Sequence, residues 1–261
     1  MKYFGGCDVG STYTKTVILD ENGAIVAANT IKSKINSAQS AKAGLDQAIA
    51  DAGLKEISDL TYLIGTGYGR NKVPQADENI SEISCHAMGV HVTDPSVRAI
   101  IDIGGQDVKG IAVDTDGTVK TFAMNDKCAA GTGRFFESMA NAFEMSLEEF
   151  SKLSLTAENV IPITAQCTVF AESEVINYIG EGKKREDIAA GVVDSVAAKV
   201  AQLSQRKTLS DKVILTGGLS DSVYFTDILS KKLGCVVETT KNGRYAGALG
   251  AALLAKEKKK R

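Results

Sequence analysis

Two aspartates, Asp8 and Asp102, each open an Asp-x-Gly turn, and each is followed seven residues later by a lysine, Lys15 and Lys109. Carboxylates at strand ends can hold Mg²⁺ through its retained waters. Glycine-rich turns between strands aim backbone N–H groups at one spot, and such nests bind phosphate oxygens. The first turn offers Gly10 with the hydroxyls of Ser11 and Thr12, and Lys15 adds a cation for terminal phosphates. In the second turn, Gly104 and Gly105 lead into Gln106 and Asp107, side chains able to orient an attacking water. Asp8, Asp102, Gln106 and Asp107 therefore form the expected hydrolytic group, with Asp8 and Asp102 as Mg²⁺ holders. A third turn, Gly217-Gly218-Leu219-Ser220, follows the apolar run KVILT and lets a flat base or ribose come close. Binding and cleavage of ATP is the chemistry these residues predict.

The elements that must position them are duplicated. DVGSTYTKTVILDENG (8–23) returns as DIGGQDVKGIAVDTDG (102–117), so that Asp8 and Asp102, Gly10 and Gly104, Lys15 and Lys109, Asp20 and Asp114, Gly23 and Gly117 all stand 94 residues apart. Each copy reads as strand, tight loop, strand, acidic glycine turn, strand. A single Asp-x-Gly is an ordinary turn; two in register describe a clamp. Neither the Gly-x-x-x-x-Gly-Lys loop nor a Gly-x-Gly-x-x-Gly opening a helix is present, which disfavours both of those nucleotide folds.

Between the copies, the pattern predicts a helix over 38–54, a strand over 62–67 and a helix near 81–91. After them it predicts helices near 133–144, 169–180 and 185–206, a strand over 212–218, a helix near 222–233 and a small-residue helix over 245–260 that can cross back. Strands interleaved with helices imply an α/β chain with mixed sheets. Asp94-Pro95 marks a boundary, giving one domain of 1–93 plus the helix of about 247–261 and a second of 94–246.

The 261 residues are 44% hydrophobic and 24% charged with a net charge of -2, so no basic field attracts nucleic acid. No apolar run approaches the ~20 residues of a membrane span. The opening MKYFGGCDVGST enters a strand directly, which predicts a cytoplasmic protein without a membrane partner. Five cysteines suit a reducing compartment better than a disulfide framework. Cys7, Cys85 and Cys235 read as buried small hydrophobes, and His86 and His91 as surface or packing residues. Cys128 and Cys167 differ, since each precedes an expected helix start, with Thr168 as N-cap and Glu172 and Glu174 in the following turns. Amides at a helix start lower a thiol's pKa and suit a metal-bound thiolate. Two isolated cysteines, or two ligands of a zinc or iron–sulfur centre, both fit the residue context.

The whole chain resembles the superfamily of actin, Hsp70 and sugar-kinase ATPases, in which two duplicated ribonuclease H-like domains close on ATP. Within it, DIGGQD, NDKCAAGTGRF (125–135) and QCTVFAESEV (166–175) resemble the BadF/BadG/BcrA/BcrD-type ATPases, which include activators of 2-hydroxyacyl-CoA dehydratases and benzoyl-CoA reductase subunits. The resemblance implies that Gly131 and Gly133 approach the nucleotide. It further implies that Cys128 and Cys167, repeated by the twofold axis of a homodimer, hold one 4Fe-4S cluster. The implied activity is ATP-dependent transfer of one electron, taken from ferredoxin or flavodoxin and given to a 2-hydroxyacyl-CoA dehydratase or a related iron–sulfur acceptor. A benzoyl-CoA reductase component, a metabolite kinase and a cluster-free actin-like ATPase are the competing expectations.

Overall fold

The computed structural model describes residues 1–164, 167–204, 212–220 and 222–258. Gln166, the last two residues of the helix expected over 185–206, and the basic end 259–261 lie outside the described residues. The first half comprises β1 (Tyr3–Val9), β2 (Tyr13–Asp20), β3 (Ile25–Lys32), α1 (Ser37–Asp51), β4 (Tyr62–Thr66), β5 (Glu78–Asn79) and α2 (Glu82–Thr93). The second comprises β6 (Ala99–Ile103), β7 (Val108–Val113), β8 (Val119–Asn125), α3 (Gly133–Ala142), α4 (Leu147–Ser154), α5 (Thr168–Gly180), α6 (Arg185–Ser204), β9 (Lys212–Gly217), α7 (Val223–Leu233) and β10 (Val236–Thr239). The helix α8 (Ala246–Lys258) follows.

The duplication extends to the topology. One sheet has the order β3-β2-β1-β4-β5 and the other β8-β7-β6-β9-β10, each with an antiparallel meander on one side and parallel strands on the other. Asp8 pairs with Lys15 and Thr66, and Asp102 with Lys109 and Thr216. Even the register shift repeats, between Ile18 and Leu19 in one sheet and Ala112 and Val113 in the other.

Alternation along the strands assigns the faces. In the first sheet Cys7, Val9 and Ile18 pack with Leu45 and Ile49 of α1, while Val17 and Leu19 pack with Ala248 and Ala252 of α8. Gly6 is required there, because a Cβ would stand 2.0 Å from the Ala248 carbonyl oxygen. In the second sheet Ile101, Ile103 and Leu215 meet Phe135, Val192 and Phe225 from α3, α6 and α7 in the largest core. The opposite face sets Ile100 and Ile111 against Ala87 and Val90 of α2 and Ala246 of α8. The helices α2 and α8 thus lie side by side beneath both sheets, and a Cβ on Gly250 would fall 1.8 Å from the Cys85 carbonyl oxygen.

The short helix α4 was not expected, although Leu147, Phe150 and Leu153 recur at helical spacing and pack on the core. A capping box opens it, with Ser146 and Glu149 each bonding the other's backbone N–H. No described helix is long and apolar enough to cross a membrane.

Candidate functional site

The two Asp-x-Gly turns face each other across a cleft of about 320 Å³. They touch: a Cβ on Gly105 would lie 2.0 Å from Thr12 Oγ1 and 3.2 Å from Ser11 Oγ. Thr12 Oγ1 is itself buried and has no hydrogen-bond partner, so the turn closes around an unused hydroxyl. Asp8 and Asp102 are buried at the strand ends. Behind each aspartate a Thr-Gly pair forms the floor, Thr66-Gly67 and Thr216-Gly217, and both glycines adopt positive φ, 85° and 90°. A side chain at either would collide with the aspartate Oδ1, at 2.4 Å from Asp8 and 2.9 Å from Asp102.

The two carboxylates are held differently. Asp8 Oδ2 has Lys15 Nζ at 3.7 Å. Asp102 Oδ2 has Lys109 Nζ at 3.2 Å, and its Oδ1 accepts a hydrogen bond from Thr216 Oγ1 at 3.0 Å. Because the Thr216 hydroxyl proton is spent on Asp102, the His86 Nδ1 at 3.2 Å from that oxygen must be the protonated nitrogen. Burial alone would raise the Asp102 carboxyl, but the His86 imidazole, Lys109 and Lys15 hold it well below the usual carboxylate range. Burial likewise pulls on Lys109, which is nonetheless kept above its ordinary value by Asp102, Glu82 and Asp107. Glu82 goes the other way: burial, only partly offset by Lys109, pushes it up to about 7.

Asp8, Gly10, Ser11, Thr12, Lys15, Asp102, Gly104, Gly105, Gln106, Asp107, Gly133, Gly217, Gly218 and Leu219 all line this one cleft. Gln106 is exposed within it, whereas Asp107 is tied to Lys109 at 2.8 Å. Gly131 is elsewhere: with φ of 89° it turns into a neighbouring hollow of about 630 Å³. Cleft residues that sequence reasoning missed include Glu82 and His86 on α2. Of the two roles expected for it, His86 has the packed one: it is buried against α8 and bonded to Thr216 of the second sheet. Their i, i+4 spacing was the available signal, since it puts both on one helix face. The repeated Thr-Gly pair was a second unused signal.

The hollow beside the cleft is lined by both Cys128 and Cys167, together with Lys127 and Lys199. Both thiols are exposed, whereas Cys7 and Cys85 are buried and pushed up to about 12 by desolvation. Cys235 is only half-buried, contrary to the expectation of a core residue. The helix-start expectation holds for Cys167, which is itself the N-cap of α5, displacing Thr168 to the first helical position. Cys128 stands five residues ahead of α3, which starts at Gly133 as expected, and a turn closed by the Thr132 N–H onto the Ala129 carbonyl (3.0 Å) fills the gap. Glu172 and Glu174 lie beyond the first turn and serve as ties, to Ser138 Oγ at 2.6 Å and to the Thr164 backbone N–H at 3.0 Å. Met124 and Asp126 line both cleft and hollow, so the two share a wall.

Among the described residues no three His, Cys, Asp or Glu side chains converge as a metal cage. Two exposed thiols in a hollow flanked by lysines offer half of a four-thiolate set. Six acids line the cleft (Asp8, Glu82, Asp102, Asp107, Asp126, Glu137) against Lys15, Lys109 and Arg244. Such an acidic surplus fits a polyphosphate only when a divalent cation enters with it.

The profile of the BadF/BadG/BcrA/BcrD ATPase family matches residues 6–255. The activator of lactoyl-CoA dehydratase from Anaerotignum propionicum is 45% identical over 255 residues, 98% of each chain. The crystal structure of component A of the Acidaminococcus fermentans (R)-2-hydroxyglutaryl-CoA dehydratase covers all of both chains at 40% identity with a TM-score of 0.94. The ADPNP-bound activator of the 2-hydroxyisocaproyl-CoA dehydratase from Clostridium difficile has the same identity and TM-score, covering 99% of this chain and 96% of its own. A glucokinase from Streptomyces griseus, at 16% identity and a TM-score of 0.59, shares the fold alone.

Proposed function

Because the chain belongs to the BadF/BadG/BcrA/BcrD ATPase family, we propose that it is an ATP-driven activator of a 2-hydroxyacyl-CoA dehydratase. The observation that carries this reading is the wall shared by a two-turn phosphate cleft and a hollow holding the two exposed thiols. The same reading divides the chain into a lobe of residues 1–93 with the C-terminal helix (247–261) and a lobe of residues 94–246.

The cleft residues have distinct tasks. Amides of the Gly10 and Gly104-Gly105 turns and the hydroxyls of Ser11 and Thr12 bind the phosphates, Lys15 supplies the mobile cation, and Gly217, Gly218 and Leu219 take the adenosine end. Asp8, whose nearest cation among the described residues is Lys15 at 3.7 Å, is the better placed to meet Mg²⁺. Asp102 has both oxygens engaged by protein donors, so it acts on the ion's waters. Gln106 orients the attacking water, and Asp107 fixes Lys109 and with it the loop.

Cys128 and Cys167, with the same pair from a second copy, would hold a 4Fe-4S cluster, which when bound supplies one-electron chemistry at low potential. The apolar face of α5 supports the self-association this needs: Val169, Phe170 and Ile176 are 67%, 70% and 52% exposed just beyond Cys167. The electron donor is a ferredoxin or flavodoxin, the acceptor is the dehydratase's own iron–sulfur protein, and five free thiols support a reducing, cytoplasmic setting for the exchange. Anaerobic purification with iron and sulfide analysis tests the reading, alongside phosphate release and activation of a 2-hydroxyacyl-CoA dehydratase. About four irons per dimer, lost in Cys128→Ala and Cys167→Ala, is the expected result. Full iron retention in both variants, or phosphate transfer to an added sugar, overturns it.

A further inference from the structure

The segment bearing Cys128 is fastened to the second phosphate turn at both ends, and we propose that Asn125 is the positioning residue through which bound nucleotide sets where that thiol stands. This rests on the ATP-driven reading above. Upstream, the turn ends at Asp107, and the next residue, Val108, pairs with Asn125 on the last rung between β7 and β8. The Asn125 carboxamide then grips the backbone of Cys128 twice. Its Nδ2 donates to the Cys128 carbonyl at 2.9 Å, and its Oδ1 accepts from the Cys128 N–H at 3.3 Å. Downstream, the N–H groups of Gly133 and Arg134 donate to the carbonyls of Gly104 and Gly105, both at 2.9 Å.

Between these anchors the loop has little slack, because Thr132 folds back onto the Ala129 carbonyl through its N–H at 3.0 Å and its hydroxyl at 2.6 Å. A displacement of residues 104–107 is therefore handed to Cys128 from two sides. Only a carboxamide serves here, since it presents a donor and an acceptor on one fork. Aspartate keeps the acceptor and loses the donor, and alanine loses both. Asn125 lies outside the nucleotide cleft, whereas its neighbours Met124 and Asp126 line it, so binding and transmission are separable at this residue.

The test measures the rate at which iodoacetamide alkylates Cys128 in the full-length, metal-free chain, read by peptide mass spectrometry with ADP and with a non-hydrolysable ATP analogue. The wild-type rates under the two nucleotides should differ by about fivefold or more. Asn125→Ala should bring the ratio close to one with nucleotide affinity unchanged, and Asn125→Asp should reduce it. A wild-type ratio retained in Asn125→Ala overturns the proposal, as does a wild-type rate indifferent to nucleotide. Should Asn125→Ala not fold, Asn125→Asp decides by the same ratio. Iron analysis of untreated wild type is a separate arm: a chain without iron overturns the redox reading and leaves the alkylation ratio to judge this one.

Discussion

Lys15 and Lys109 occupy equivalent rungs of the two sheets, yet the first is 17% exposed on the cleft wall and the second 2% exposed beneath Asp102, Asp107 and Glu82. One copy leaves its cation on the cleft wall, and the other buries it against the loop at Asp107. Lys109→Met should therefore cost about 3 to 5 kcal/mol in denaturant unfolding, because it strands buried carboxylates. Lys15→Ala should leave the fold intact and raise the KM for ATP. Gln106→Ala should lower kcat for phosphate release by about 10²-fold, the lower range for a group that assists proton transfer, with KM little changed. Glu82 gives a pH signature. Its folded value near 7 lies above the ordinary 4.5, so between these pH values the folded chain binds more protons than the unfolded one, and stability falls as pH rises. The loss reaches about 3 kcal/mol, and the nucleotide-free Glu82→Gln variant should show a flat unfolding midpoint from pH 5 to 8.

At the scale of elements, the duplicated strand units were legible in the sequence because Asp, Gly and Lys at equal spacing admit few other arrangements. The cleft aspartates, glycines and Lys15 came with them. What escaped depended on partners distant in sequence. Nothing local to α2 says that Glu82 and His86 look across to the second sheet; that follows from how α2 lies against α8. The turn between Cys128 and α3 was equally hidden, because Gly133 and Arg134 anchor it by hydrogen bonds to Gly104 and Gly105, far back in the chain. The crossing of α2 and α8 depends on small residues at Gly89, Ala246 and Gly250, and a Cβ on Gly89 would lie 2.1 Å from the Ala246 carbonyl oxygen. Gly250→Val should lower stability by about 3 kcal/mol and weaken ATP binding, measured by denaturant titration and calorimetry.

For the molecule as a whole, the proposed function makes the cleft the free-energy source and the thiol hollow the output, with one wall belonging to both. On that proposal, self-association completes the thiolate set. Phe170→Asp should convert an anaerobic dimer to a monomer in sedimentation and lose iron, while nucleotide affinity of each chain stays unchanged. Among the described residues the chain passes between the two sheets twice, once after α2 and once into α8, and Val97 and Ala246 at the two passages share one core. Two knuckles on one pin would allow swing and resist slip or shear, so closure in the proposed ATP-driven cycle would move the exposed Tyr68 and Gln106 further than the buried His86 and Asp102.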